Sequence, residues 1–194
     1  MSNPDYSQLA GELEEAEREL ARCRKNVTEI RRRMQPDRVT DYQFRTPEGD
    51  SVSLLELFGD KEDLIIIHNM GKTCPYCTLW ADGFNGVYRH LENRAGFAVV
   101  SPDPPDIVRE FAGGRGWKFR VLSNNKGSFT KAMGYESEKG EPRPGISTFH
   151  REPNGTIRRI THASFGPGDD FCAVWHIFDM LEKGPDGWKP KFSY

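Results

Sequence analysis

The chain has 194 residues, which is long enough for one domain with a hydrophobic core. Its 27 Lys and Arg residues nearly balance 29 Asp and Glu residues, and the formal net charge of −2 excludes binding to nucleic acid through an overall basic field. The longest apolar run is far too short to cross a bilayer, and four cysteines without the spacing of a disulfide framework are typical of a reducing compartment.

Residues 1–5 lack the basic and apolar regions of a signal peptide, so we expect a cytoplasmic protein without a membrane or nucleic-acid partner. Residues 5–34 then carry the pattern of one amphipathic helix, which Pro36 ends. Apolar residues recur there at alternating steps of four and three, as in the a/d seam of a coiled coil. The seam residues are Leu9, Leu13, Ala16, Leu20, Cys23, Val27, Ile30 and Met34.

Acidic side chains dominate the first half of this helix and basic ones the second half, so two antiparallel copies would pair opposite charges. We predict a separate N-terminal segment, residues 1–35, and a second domain, residues 36–194. Two hypotheses stay open for the segment. Either the helix forms a coiled coil in a homodimer through residues 5–34, or its apolar stripe packs against its own domain.

Residues 42–58 predict a short hairpin and a helical turn, and residues 64–68 predict a buried strand. Cys74 and Cys77 follow, one turn apart, where a glycine-bearing loop gives way to a helix that we expect over residues 78–94. The N–H groups and positive dipole at a helix start stabilise a thiolate and can lower a thiol pKa from about 8.5 to between about 3.5 and 7.5. Pro75 suits the first helical turn, since its missing N–H costs nothing there. This context favours a redox-active dithiol.

Two other interpretations of the cysteine pair remain, namely half of a zinc site and an inert structural pair. A zinc site needs a second CxxC or a pair of histidines nearby. Cys23 and Cys172 stand alone in the sequence, and His68 and His90 match no common ligand spacing. We therefore predict neither a metal nor a cofactor.

The rest of the chain continues the alternation of strands and helices. We expect strands at residues 96–100 and 119–123, a helix from residue 107 that stops at Gly113-Gly114, and a short helical segment at 129–133. Asn154-Gly155 predicts the turn of a hairpin between residues 146–151 and 156–162, and a final helix follows at 171–181. Gly83 and Gly86 inside the helix after the cysteines indicate close packing. The order predicts an α/β fold in which a central mixed sheet has helices on both faces.

A dithiol between a buried strand and its helix, with a hairpin and a helix closing the domain, resembles the thioredoxin fold. The lead-in from Phe44 to Gly59 resembles the peroxiredoxin-type members of that fold. Residues 70–86, MGKTCPYCTLWADGFNG, are similar to a bacterial family of unknown function predicted to contain thioredoxin-like dithiol–disulfide oxidoreductases. The likeness extends to the charged N-terminal helix and implies both this fold and this activity.

Two positions depart from the thioredoxin pattern. Thioredoxins carry a buried carboxylate six residues before the first cysteine, where this chain has His68. We predict that His68 exchanges protons with Cys77, the alternative being a hydrogen-bonded core histidine. Thioredoxins also place a cis-proline opposite the dithiol. Ser147 aligns with that proline here, and Pro144 lies three residues earlier.

The resulting prediction is thiol–disulfide exchange, with Cys74 as the exposed nucleophile and Cys77 as the more buried resolving thiol. We expect Thr73, Pro75 and Tyr76, together with Ser147, to border the bound substrate. That substrate would be a disulfide in a protein or a small molecule. Glutathione is a candidate partner, because Cys-Pro-Tyr-Cys is also the glutaredoxin pattern.

Two alternative functions stay open. A thiol-dependent peroxidase would need an arginine beside its reactive cysteine, and Arg115, Arg120 and Arg143 are the candidates in this sequence. A binding or assembly module would instead use the N-terminal helix as an interface and the cysteine pair to hold a metal ion.

Overall fold

The computed structural model describes residues 6–194. They fall into two compact units that divide between Pro36 and Asp37. The predicted start of the first helix, residue 5, and the segment examined for a signal peptide lie outside the described residues.

The first unit consists of one long helix, α1 (Tyr6–Arg33). None of its 28 residues is buried, including the seam residue Cys23. The large apolar side chains of the seam are between 43% and 60% exposed. A helix of this kind depends on its charged surface and on whatever covers its apolar stripe, since helices gain most of their stability from packing an amphipathic face.

The second unit is built on one mixed sheet of eight strands. In chain order they are β1 (Asp37–Val39), β2 (Gln43–Arg45), β3 (Ser51–Ser53), β4 (Asp63–His68), β5 (Gly96–Ser101), β6 (Arg120–Ser123), β7 (Gly145–Arg151) and β8 (Ile157–Ser164). Their order across the sheet is β1-β8-β7-β4-β5-β6-β2-β3. Strand β4 is central, parallel to β5 and antiparallel to β7. The near-continuous apolar run Leu64–Ile67 suits this place, because a central strand is covered on both faces.

Helices cover both faces of the sheet, as the sequence predicts. Three of them share the core on one face: α2 (Pro75–Arg94), α3 (Pro105–Arg115) and α5 (Ala173–Asp179). The other face carries a 3-10 turn (Glu56–Phe58) and the short helix α4 (Phe129–Ala132). The parallel steps from β4 to β5 and from β5 to β6 each pass through a helix, so right-handed crossovers place α2 and α3 on the same face.

Several local features differ from expectation. Helix α3 runs through Gly113 and Gly114 and ends before Gly116, which adopts a left-handed conformation (φ 68°) that glycine accepts without strain. The close packing predicted at Gly83 and Gly86 is wrong, since no non-neighbouring atom lies within 4 Å of the Cβ that either would carry. Strand β1, which the sequence did not reveal, pairs with β8 at the edge of the sheet.

Candidate active site

The two cysteines lie at the start of α2, directly after the loop that follows β4. Cys74 is the N-cap residue in an extended conformation, and its sulfur accepts a hydrogen bond from the backbone N–H of Cys77 (3.1 Å). Pro75 occupies the first turn, as the sequence predicts. Cys74 and Cys77 are 8% and 3% exposed, so the prediction of an exposed Cys74 is wrong, although Cys74 is the more accessible of the two thiols.

The surroundings of the two sulfurs separate their acidities. The Cys77 thiol donates a hydrogen bond to the Cys74 sulfur and, together with the N–H groups of Cys77 and Tyr76, lowers the pKa of Cys74 from 9.0 to about 7 against the opposing effect of burial. The same hydrogen bond, burial and the charge of Cys74 hold the pKa of Cys77 well above its ordinary value. One thiol of the pair is therefore partly ionised near neutral pH, while the other keeps its proton.

A backbone N–H group favours ionisation of Cys77. Met70 N donates to the Cys77 sulfur at 3.4 Å and lowers the pKa of that thiol, although the other effects outweigh it. Met70 lies in the loop between β4 and α2, so the conformation of this loop sets the hydrogen bond to Cys77.

Three polar contacts fix that loop. Asn69 accepts from Gly71 N (2.7 Å), Asp103 accepts from Lys72 N (2.7 Å), and Ser101 Oγ donates to Asp103 (3.0 Å). Gly71 has a φ of +97°, and a Cβ there would stand 3.0 Å from Asp103 Oδ2. Glycine is thus required both by the backbone conformation and by the close approach of the carboxylate.

Sequence reasoning missed Asn69 and Asp103. A signal for Asp103 was present, since residues 102–103 directly follow β5, which runs parallel to β4. The carboxyl ends of neighbouring parallel strands meet at one edge of the sheet, so the loops after β4 and β5 are expected to touch.

Of the three neighbouring residues predicted to border a substrate, Thr73 precedes Cys74, and Pro75 and Tyr76 lie between the two cysteines. Thr73 is exposed, and Pro75 and Tyr76 are half-buried. The Tyr76 ring lies 6.1 Å from the Trp175 ring and 6.4 Å from the Trp80 ring, measured between centroids. These aromatic side chains belong to the same core cluster as both cysteines and give the dithiol an apolar wall.

His68 and Ser147 do not join the dithiol. His68 lies in the core on the opposite face of the sheet, where its ring stacks on Tyr135 (3.8 Å between ring centroids). Its Nε2 shares a hydrogen bond with Ser147 Oγ (2.9 Å). Successive side chains on a strand point to opposite faces, so Ile67 reaches the cysteine side and His68 cannot. The prediction that His68 exchanges protons directly with Cys77 is therefore wrong on geometric grounds. His68 is instead a hydrogen-bonded core histidine, which was the alternative.

Burial, with the positive charges of Arg159 and His162 as smaller causes, holds the pKa of His68 well below its ordinary value. The histidine is neutral near pH 7 and 1% exposed. Ser147 also accepts from Arg159 Nη2 (3.1 Å), so this serine is part of a buried polar cluster and does not border a substrate at the cysteines. The β7 residue on the dithiol face is Ile146, opposite Ile67.

No cis-proline faces the dithiol among the described residues. Every peptide bond in residues 6–194 is trans, including the one before Pro144. The Pro144 carbonyl instead accepts from Phe165 N, which joins β7 to the segment after β8.

The candidate arginines have other contacts or lie elsewhere. Arg115 pairs with Asp82, which also accepts from Trp117 Nε1 (2.8 Å), and it donates to the Phe192 carbonyl (2.5 Å). Arg120 lines a surface groove with the β2–β3 hairpin. Across residues 6–194, no arginine hydrogen-bonds to either cysteine sulfur of the dithiol.

The described residues contain no group of three or more His, Cys, Asp or Glu side chains arranged to hold a metal ion. A metal ion at Cys74 and Cys77 would therefore need further ligands that the His, Cys, Asp and Glu side chains of the described residues do not supply. Over the same residues, no helix is long and apolar enough to cross a membrane.

Solved structures share this fold. A crystal structure of reduced Prx3 in complex with H2O2 from Vibrio vulnificus matches with a TM-score of 0.56 and 18% identity over 70% of this chain and 90% of that one. Peroxidoxin BcpB from Mycobacterium tuberculosis matches with a TM-score of 0.55 and 22% identity over 66% and 84%. A peroxiredoxin-like protein from Aquifex aeolicus matches with a TM-score of 0.53 and 19% identity over 66% of this chain and 74% of that one. At these identities the likeness establishes the thioredoxin-like fold of the peroxiredoxins.

None of the curated proteins matches the sequence. One family model does, over residues 1–191, and its description is a bacterial protein of unknown function (DUF899). The match covers nearly the whole chain, including α1 and the dithiol. The chain therefore belongs to the DUF899 family of bacterial proteins and carries its cysteine pair on a thioredoxin-like fold.

Proposed function

We propose that this protein is a thiol–disulfide oxidoreductase in which Cys74 is the nucleophile and Cys77 the resolving thiol. The observation that carries the proposal is the placement of both cysteines at one helix start, where the Cys77 N–H donates to the Cys74 sulfur (3.1 Å). In this setting the pKa of Cys74 is lowered to about 7 and that of Cys77 is raised. A thiol whose pKa lies near the ambient pH combines a useful thiolate fraction with good nucleophilicity. Structural cysteines buried in a core lack this property, and Cys172 is an example, since burial raises its pKa.

In the first step the Cys74 thiolate attacks one sulfur of a substrate disulfide. A mixed disulfide forms between Cys74 and that sulfur, and the other substrate sulfur leaves as a thiolate that takes up a proton from solvent. The helix N-terminus and the Cys77 donor favour the thiolate before attack.

The second step uses Cys77. Once Cys74 is bonded to substrate it carries no charge, so the two effects of Cys74 that hold the proton on Cys77 disappear, while the Met70 N–H remains to stabilise a thiolate. Cys77 gives its proton to the departing substrate sulfur and attacks Cys74. The Cys74–Cys77 disulfide forms, and two electrons have passed from the protein dithiol to the substrate disulfide.

The substrate class is a disulfide in a protein or a small molecule. The half-buried Tyr76 and the exposed Thr73 lie next to the cysteines along the chain, and we propose that they border the bound disulfide. A thiol such as glutathione would complete the cycle by reducing the Cys74–Cys77 disulfide. We place this cycle in the cytoplasm, where thiols are kept reduced.

Reduction of insulin disulfides by the dithiothreitol-recycled protein tests the proposal. Cys74→Ser should abolish turnover, whereas Cys77→Ser should trap a mixed disulfide that is visible as an increase in mass. Cys172→Ser is the matched control, because it removes a buried thiol outside the pair. Turnover that survives Cys74→Ser would refute the assigned nucleophile.

A thiol peroxidase is the second candidate, favoured by the peroxiredoxin fold of the solved neighbours. In that reaction a cysteine thiolate attacks one peroxide oxygen, the O–O bond breaks, and the resulting sulfenic acid condenses with the other thiol to give the disulfide and water. The absence of an arginine on either sulfur within residues 6–194 counts against it. Consumption of H2O2 by the reduced protein, compared with consumption of disulfide at equal concentration, separates the two reactions.

A further inference from the structure

The apolar seam of α1 is exposed along the whole helix. Leu9, Leu13 and Leu20 are 47%, 60% and 50% exposed, and Val27 and Ile30 are 43% and 45% exposed. At a rise of about 1.5 Å per residue, the part of the seam inside α1, from Leu9 to Ile30, is about 32 Å long. Exposed contiguous apolar surface of this kind marks an interaction site.

The sizes of the seam residues favour an antiparallel partner of the same sequence. Antiparallel coiled coils place an a residue opposite a d residue of the partner helix, and one alignment uses the whole seam. Its facing pairs are Leu9 with Met34, Leu13 with Ile30, Ala16 with Val27, and Leu20 with Cys23. Each small residue then lies opposite a larger one, as even packing requires.

A parallel pair in register packs less well. It would place Ala16 against its own copy and Cys23 against its own copy, leaving two thin layers in the middle of the seam. Underfilled layers cost stability because the missing atoms leave gaps that the backbones cannot close.

The charges beside the seam select the same alignment. In the antiparallel arrangement the positions that flank the seam bring Glu12 next to Arg33 of the other copy, and Glu17 next to Arg24 of the other copy. The two-fold symmetry repeats each pair. In the parallel arrangement Glu12 would instead face Glu17 of the other copy, a repulsive contact that offsets the attractive contact between Glu19 and Arg24 of the other copy.

We propose that the protein is a homodimer held by an antiparallel coiled coil of two α1 helices, in the alignment that pairs Leu13 with Ile30 and Glu12 with Arg33. Packing and charge, which are independent properties of the helix, lead to the same partner and the same register.

Sedimentation equilibrium of the full chain in low salt tests the proposal. The wild type should show twice the 22.1 kDa chain mass. Glu12→Lys should raise the dimer dissociation constant on the order of tenfold, since two attractive contacts become repulsive, and the double variant Glu12→Lys/Arg33→Glu should restore it. Glu15→Lys is the control, because it makes the same charge change at a position away from the seam.

Three results would overturn the proposal. A wild-type monomer would mean that a second copy does not cover the seam. Tighter association of Glu12→Lys would show the parallel arrangement, in which the new lysine faces Glu17. Equal weakening by Glu12→Lys and Glu15→Lys would show that net charge, and not this register, governs association.

Discussion

Replacement of Cys77 by alanine should make Cys74 markedly less reactive near neutral pH. The largest cause of the lowered pKa of Cys74 is the hydrogen bond that the Cys77 thiol donates, and alanine removes this donor. The backbone N–H groups of Cys77 and Tyr76 stay in place, so the pKa should settle between about 7 and 9.0. At pH 7 a thiol is about half ionised at the lower value and about 1% ionised at the upper one, so the thiolate fraction falls by up to about fifty-fold.

The rate of alkylation should fall less than the thiolate fraction. A thiolate of higher pKa is intrinsically more nucleophilic, with a Brønsted coefficient of about 0.4–0.5. Over the pKa interval from about 7 to 9.0 this makes each thiolate up to about eight-fold more reactive. The net loss at pH 7 is therefore up to about six-fold, and the midpoint of the rate–pH profile moves upward.

Iodoacetamide labelling followed by peptide mass spectrometry measures the profile at Cys74 alone. A Cys23→Ser background removes the exposed thiol on α1 from competition. Cys77→Ser is the matched variant, because its hydroxyl can still donate to the Cys74 sulfur and should preserve more of the low pKa than alanine does. A wild-type midpoint near 9, or identical midpoints for the alanine and serine variants, would refute the reasoning.

Further predictions concern the core and the loop before the dithiol. His68→Gln should lower the free energy of unfolding by about 1–3 kcal/mol through loss of its buried stack and hydrogen bond, yet leave the pH profile of mixed-disulfide resolution unchanged, as stopped-flow measurements would show. Gly71→Ala should lower the free energy of unfolding in urea by about 1–2 kcal/mol because of its positive φ. Gly83→Ala, in open space within α2, should raise the free energy of unfolding by about 0.5–1 kcal/mol, and a decrease at both positions would contradict this. Asp103→Asn weakens the acceptor of Lys72 N and should slow the resolving step without changing Cys74 alkylation, since the loop positions Met70 N at Cys77; equal slowing of both would show general disruption.

Much of the fold follows from local patterns in the sequence. The apolar run at residues 64–67, the Cys-Pro start of α2 and the Asn-Gly turn between β7 and β8 each have a local physical cause, so each was found without coordinates. The same holds for α1, whose heptad spacing spans the described helix.

The site was predictable only where it depends on sequence neighbours. Cys74, Pro75 and Cys77 lie within one helical turn, and their geometry is set by the helix start itself. His68 and Ser147 were assigned by alignment to another fold member, and the alternation of side chains along β4 and β7 sends them to the other face. Asn69 accepts from Gly71 N within its own loop, whereas Asp103 accepts from Lys72 N across 31 residues of sequence. The second contact depends on the parallel order of β4 and β5, which no local pattern encodes.

Two properties follow from the sequence alone: two thiols stand at a helix start, and α1 carries an apolar seam with acidic side chains in its first half and basic ones in its second. Both belong to residues within a few turns of each other, where secondary structure fixes the backbone geometry. Three other properties require the folded chain, namely the face of the sheet that each side chain reaches, the loop that holds Met70, and the opposite shifts in the pKa values of Cys74 and Cys77. These depend on burial and on contacts between distant segments, which arise when the sheet orders its strands.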